Sequence, residues 1–88
     1  MDNPSEYVIV FSSTNVAIKA EQCLLEHGMK VSVMPLPSQI KAGCGICLRT
    51  SPDNISAALE ALANVQISEI GLYARKGSAY AKTDFTDG

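Results

Sequence analysis

YVIVF, residues 7–11, is an unbroken run of β-branched and aromatic side chains. Such a run suits a central strand covered on at least one face. Tyr7, Ile9 and Phe11 point one way along it and Val8 and Val10 the other, so even the second face carries apolar bulk. That second face has to be solvated, paired with a partner or covered by another part of the chain, the C-terminal tail being one candidate. The fold must therefore supply a sheet with this strand inside it.

The rest of the chain supplies the partners. Ser12, Ser13 and Thr14 offer N-cap oxygens, and NVAIKAEQCLLEHG then repeats apolar residues at helical spacing up to Gly28, which stands where a left-handed C-terminal residue is wanted. A first helix is predicted from about Thr14 to His27. KVSVM, residues 30–34, alternates like a half-covered strand and is stopped by Pro35 and Pro37. PSQIKAGCG has no period and reads as a loop, after which ICLRT, residues 46–50, resumes strand character. Ser51 and Pro52 are expected to open a second helix, in which Ile55, Ala58, Leu59 and Leu62 fall at i, i+3, i+4 and i+7. A last strand is expected from near Ser68, with Ile70, Leu72 and Tyr73 in it.

The order strand, helix, strand, strand, helix, strand is the split βαβ arrangement. It predicts an α+β, ferredoxin-like βαββαβ sandwich: a four-stranded antiparallel sheet with two helices on one face, joined by right-handed crossovers. Eighty-eight residues fit one domain, 1–88, with an ordered core of about 6–75 and a lightly packed tail over 76–88. An apolar share of 47% with 18% charged residues is ordinary globular composition. A net charge of −2 argues against nucleic acid, whose binding domains carry a basic stripe. MDNPSEYVIVFSS has no basic n-region and too short an apolar run for a signal peptide or a membrane span, so a cytoplasmic protein away from membranes is expected.

Three cysteines in a reducing compartment are free thiols by default. Cys23 lies inside the first helix beside Leu24 and Leu25 and reads as an inert packing residue. Cys44 differs, because Gly43 and Gly45 flank it on the loop, a setting that lets another molecule approach the sulfur. Backbone N–H groups of a glycine turn can face an anion, and Lys41 lies nearby in sequence. Cys47 completes a C-G-I-C spacing shared by dithiol oxidoreductases and metal sites. Zinc would need four ligands, for which the chain offers only Cys23, Cys44, Cys47 and His27, whereas copper(I) accepts the two thiolates Cys44 and Cys47. The pair leads into a strand and not a helix, so the redox reading lacks the helix N-terminus that lowers the first thiol's pKa in thioredoxin-like proteins. Within the strand Cys47 is either a resolving thiol or a small sheet residue sharing a face with Arg49. His27, at the end of the first helix, suits the helix dipole and its last carbonyls. No phosphate-loop, dinucleotide, nucleophile-elbow or zinc-protease pattern is present, and the carboxylates, Glu6 among them, read as solvated surface.

Over Tyr7 to Leu62 the chain resembles the small selenium or sulfur carrier-like proteins. The resemblance is carried by YVIVFSST, the helix containing KAEQCLLEHG, the approach MPLPSQI, then GCGICLR and the helix opened by SPDN. It implies that Cys44 is the carrier cysteine, Gly45 its companion and Arg49 a nearby basic group. A second cysteine at position 47 departs from the family's pattern, in which a small residue is usual there, and leaves a dithiol variant open. The resemblance implies a carrier or accessory protein more than a stand-alone enzyme, with no resident cofactor, which takes the chalcogen as a persulfide or selenyl-sulfide from a donor such as a cysteine desulfurase or selenocysteine lyase and passes it to an acceptor protein. Two readings from other classes stand beside it: a thiol-based copper(I) or zinc module using Cys44 and Cys47, and a ferredoxin-like regulatory domain, for instance a homodimer, with incidental cysteines.

Overall fold

The computed structural model describes residues 4–41 and 43–83. Its elements are β1 (Glu6–Phe11), α1 (Thr14–Glu26), β2 (Val31–Pro35), β3 (Ile46–Thr50), α2 (Ile55–Asn64), β4 (Ile70–Lys76) and β5 (Ala79–Lys82). The strands form one antiparallel sheet in the order β2-β3-β1-β4-β5. The first six elements keep the split βαβ order, with β1 central as its composition requires.

The expected four strands are five. β5 pairs with β4 from Lys76↔Ala79 to Tyr73↔Lys82, so Gly77 and Ser78 alone make the turn. Gly77 takes φ +64 while Ser78 does not, which is the pattern of a two-residue turn with glycine first. Much of the stretch expected to be a lightly packed tail is therefore the second arm of a hairpin. The remaining tail residues, 84–88, lie outside the described ones.

Both helices cover one face. Ile9, Phe11, Leu48 and Leu72 from the sheet share a buried cluster with Ala17, Ala20, Cys23 and Leu24 of α1 and Ile55, Ala58, Ala61 and Leu62 of α2. α1 starts where Ser13 accepts a hydrogen bond from Val16 N at 3.2 Å. It ends in a Schellman turn: Gly28 takes φ +76, Met29 N donates to Leu24 O at 3.0 Å and Gly28 N to Leu25 O at 2.9 Å. α2 begins later than Ser51 and Pro52 imply. Residues 51–54 first form a turn, closed by Asn54 N donating to Ser51 O at 3.0 Å, and Asn54 then stands at the cap.

The opposite face carries Val8 and Val10, and the chain itself covers it. Ile40 from the β2–β3 loop is buried with Val8, Val10 and Cys47, and Met34, Leu36, Tyr73 and Tyr80 pack around them. The cover is thus mainly the loop, with Tyr80 of β5 as the contribution from the C-terminal part.

Candidate functional site

β2 and β3 form a ladder ending at Pro35↔Ile46, extended by Leu36 N donating to Gly45 O at 2.9 Å. This closes the base of the loop holding Cys44. Because Val10 pairs with Cys47, the strand antiparallel to β1 begins where β1 runs into α1, and Cys44 lies at that end of the sheet. The two glycines have different tasks. Gly43 takes φ +110, and a Cβ built on it would lie 2.4 Å from Val10 Cγ1, so the backbone passes directly over β1. Gly45 takes φ +96 with open space around it, which turns the chain into β3.

Cys44 is half-buried and packs against the helix-side cluster; its thiol meets Ile46 O at 3.6 Å. Cys47 is fully buried in the other cluster, beneath Ile40, with its thiol directed at Met34 O and Pro35 O at 3.8 and 3.9 Å. The C-G-I-C pair is therefore split between the two faces of the sheet. Cys23 is buried on α1, near Ala61 O at 3.8 Å, while His27 Nδ1 lies 2.8 Å from Cys23 O and so engages the helix end. Among the described residues no group of three or more His, Cys, Asp or Glu could hold a metal ion.

Burial pushes the Cys47 thiol up from its ordinary 9.0 to about 11, the charges of Cys44 and Glu6 adding to the rise and Arg49 opposing it. Cys47 is thus a protonated, weakly nucleophilic thiol at neutral pH. The rise has a linkage consequence: the folded state holds this proton more tightly than the unfolded chain, so the stabilisation is complete below pH 9.0 and is lost as pH climbs through about 11. At ~1.4 kcal/mol per pH unit of separation, wild type should lose up to about 3 kcal/mol more than Cys47→Ala between pH 8 and 11. Urea unfolding of both proteins at the two pH values measures this, and equal losses would remove burial of the neutral thiol as a stabilising factor.

Lys41 is exposed beside the loop. Arg49 is held elsewhere: its Nε and NH2 groups donate to Glu6 Oε1 at 3.1 and 2.6 Å, and Arg75 Nε lies 3.2 Å from Glu6 Oε2. Glu6 is correspondingly buried between two guanidinium groups instead of solvated. Its place in the strand, in phase with Val8 and Val10, was the available sign. Gln39 carried no sequence signal, yet its side chain ties the loop to the β4–β5 hairpin, donating from Nε2 to Ser78 O at 2.8 Å and accepting from Tyr80 N at 3.1 Å.

These features define a small α+β domain that presents one half-buried loop thiol between two left-handed glycines and buries its other two. The chain belongs to the family described as "Putative Se/S carrier protein-like", whose model matches residues 6–74, as the resemblance of its motifs implied. Neither the curated proteins nor the solved structures give a match. Among the described residues no helix is long and apolar enough to cross a membrane.

Proposed function

We propose that the protein carries sulfur or selenium on Cys44 and moves it from a donor protein to an acceptor. The observation that carries this reading is the contrast among the three thiols: Cys23 and Cys47 are buried in the packed clusters, while Cys44 stands half-buried on a glycine-flanked loop. The family's description supports a carrier role, and the resemblance of the GCGICLR motif implies Cys44 as its residue.

In the transfer the Cys44 thiolate attacks the outer sulfur of a donor cysteine persulfide. The donor's sulfur–sulfur bond breaks, the donor thiolate leaves, and Cys44 holds the atom as a persulfide. The step is an exchange and consumes no oxidant. An acceptor nucleophile repeats it, and selenium follows the same course as a selenyl-sulfide. Neither flanking glycine adds a side chain to the approach, and around Gly45 the space is open. Lys41 is the exposed cation that attracts an acidic partner or an outgoing anion in this reading, whereas Arg49 acts through its pairing with Glu6. The donor class is a cysteine desulfurase or selenocysteine lyase, and a reducing compartment such as the cytoplasm keeps the thiol available.

Incubation with such a donor enzyme and its amino-acid substrate, followed by intact-mass analysis, tests the proposal. Wild type and Cys47→Ser should each gain a sulfur or selenium atom, and Cys44→Ser none. No adduct on wild type, or an equal one on Cys44→Ser, would refute it.

A further inference from the structure

The β2–β3 connection also covers Cys47. Its segment Leu36–Ile40 crosses the open face of the sheet as a strap, with a turn closed by Ile40 N donating to Pro37 O at 2.9 Å. Ile40, 4% exposed, is the part that lies with Cys47. Gln39, at the tip, is the fastener. Its amide meets Ser78 O and Tyr80 N, so the side chain takes the place of a neighbouring strand along β5. Both of these hydrogen bonds are exposed, and exposed bonds exchange readily for water. The cover is apolar and close; its fastening is polar and easily undone.

The two thiols stand three residues apart, a separation that dithiol motifs bridge. Closed, the fold keeps them on opposite faces, and the strap and the turn that holds Cys44 belong to one connection between Pro35 and Ile46, so Cys44 can change face only when that connection moves as a whole. We infer that the strap is a gate over Cys47: closed, it preserves the cargo on Cys44, and lifted, it lets Cys47 discharge that cargo as hydrogen sulfide or hydrogen selenide. The inference rests on the carrier reading of Cys44. In the discharge, Cys47 Sγ attacks Cys44 Sγ, the bond from Cys44 to the outer atom breaks, and that atom leaves with the electron pair and takes up the Cys47 proton. The carried atom is reduced by two electrons and the two cysteines are oxidised to a disulfide, so atoms and charge balance without a further reactant. A low-molecular-weight thiol then reduces the disulfide and resets the protein. Burial of Cys47, which keeps it protonated, reinforces the closed state. A partner that displaces Gln39 from the hairpin would release the cargo as it docks.

The unloaded protein tests the gate by itself. Under a fixed concentration of diamide, the Cys44–Cys47 disulfide should form slowly in wild type and about tenfold faster in Gln39→Ala, the effect of removing roughly one net hydrogen bond's worth of closure. Ile40→Ala, which thins the cover itself, should also accelerate it, and Cys47→Ser should abolish it. Disulfide rates equal to wild type in both Gln39→Ala and Ile40→Ala would overturn the gate. In persulfide-loaded protein, sulfide release should rise in Gln39→Ala and return to the wild-type rate when Cys47→Ser is added. Release indifferent to Cys47→Ser would overturn the discharge step. Failure of wild type to accept sulfur at all counts against the carrier reading, and the diamide experiment still decides the gate.

Discussion

Gly43→Ala is expected to lower the melting temperature by roughly 10–45 °C, about twice as far as Gly45→Ala, although both glycines flank the same cysteine and both take a left-handed φ. The backbone cost is shared: a non-glycine residue at φ +110 or +96 is strained by about 1–3 kcal/mol. The difference lies in what a methyl group would meet. At Gly45 nothing lies within 4 Å. At Gly43 the new atom would stand 2.4 Å from Val10 Cγ1, with Phe11 O and Leu36 Cδ2 at 3.5 and 3.7 Å. Val10 cannot step aside, because it is 4% exposed, stiff at its β-branch and held on both sides by the ladders to β3 and β4. Overpacking of this kind costs about 1–3 kcal/mol beyond the strain, and a domain of this size loses roughly 4–8 °C per kcal/mol. Thermal unfolding followed by circular dichroism provides the comparison. Melting temperatures within a degree or two of each other for the two variants would show that the loop does not press on β1.

Glu6→Lys should destabilise the protein by on the order of 3 kcal/mol, and Glu6→Gln by only about 1. The carboxylate is 11% exposed and receives Arg49 on one oxygen and Arg75 near the other. Glutamine keeps the shape and one acceptor. Lysine places a third cation in a space already bounded by two, and at ~4 Å each like-charge contact costs about 4 kcal/mol at an intermediate effective dielectric before relaxation. The two arginine side chains are 47% and 34% exposed, so they swing towards water and recover much of that. The gap between the lysine and glutamine variants should therefore narrow as salt is added, and Arg75→Glu in the Glu6→Lys background should restore part of the loss. Equal stability of the lysine and glutamine variants at low salt would show that Glu6 matters for its shape and not its charge.

The elements set by local periodicity were legible from the residues. YVIVF needed an interior position and has it; the i, i+3, i+4, i+7 series from Ile55 and the left-handed Gly28 marked a helix body and a helix end that the structure reproduces. The start of α2 was less legible because SPDN offers three cap residues, and a preceding turn shifts the choice from Ser51 to Asn54. β5 escaped because AYAK is only four residues long and two of them are alanine, although Gly77-Ser78 between two strand-compatible runs was a local hairpin sign. At the site, Pro35, Pro37, Gly43 and Gly45 marked the loop that carries Cys44. The face to which each thiol turns was not legible, since it depends on the path of that loop over Val10. Gln39 to Ser78 is a contact across 39 positions, set by tertiary packing alone.

The side-chain pairing at Ser78 and Tyr80 has a further consequence for how the molecule behaves among its own copies. An outermost strand with unmet backbone groups invites another chain to add itself, which is a common beginning of edge-to-edge aggregation. Here the Gln39 amide occupies Ser78 O in the turn and Tyr80 N on β5, two of the groups that an incoming strand would use. On the far rim, β2 spans five residues and finishes in Pro35, which lacks a donor. Self-association by sheet extension is thus resisted at both ends, at one by a short strand ending in proline and at the other by a single glutamine.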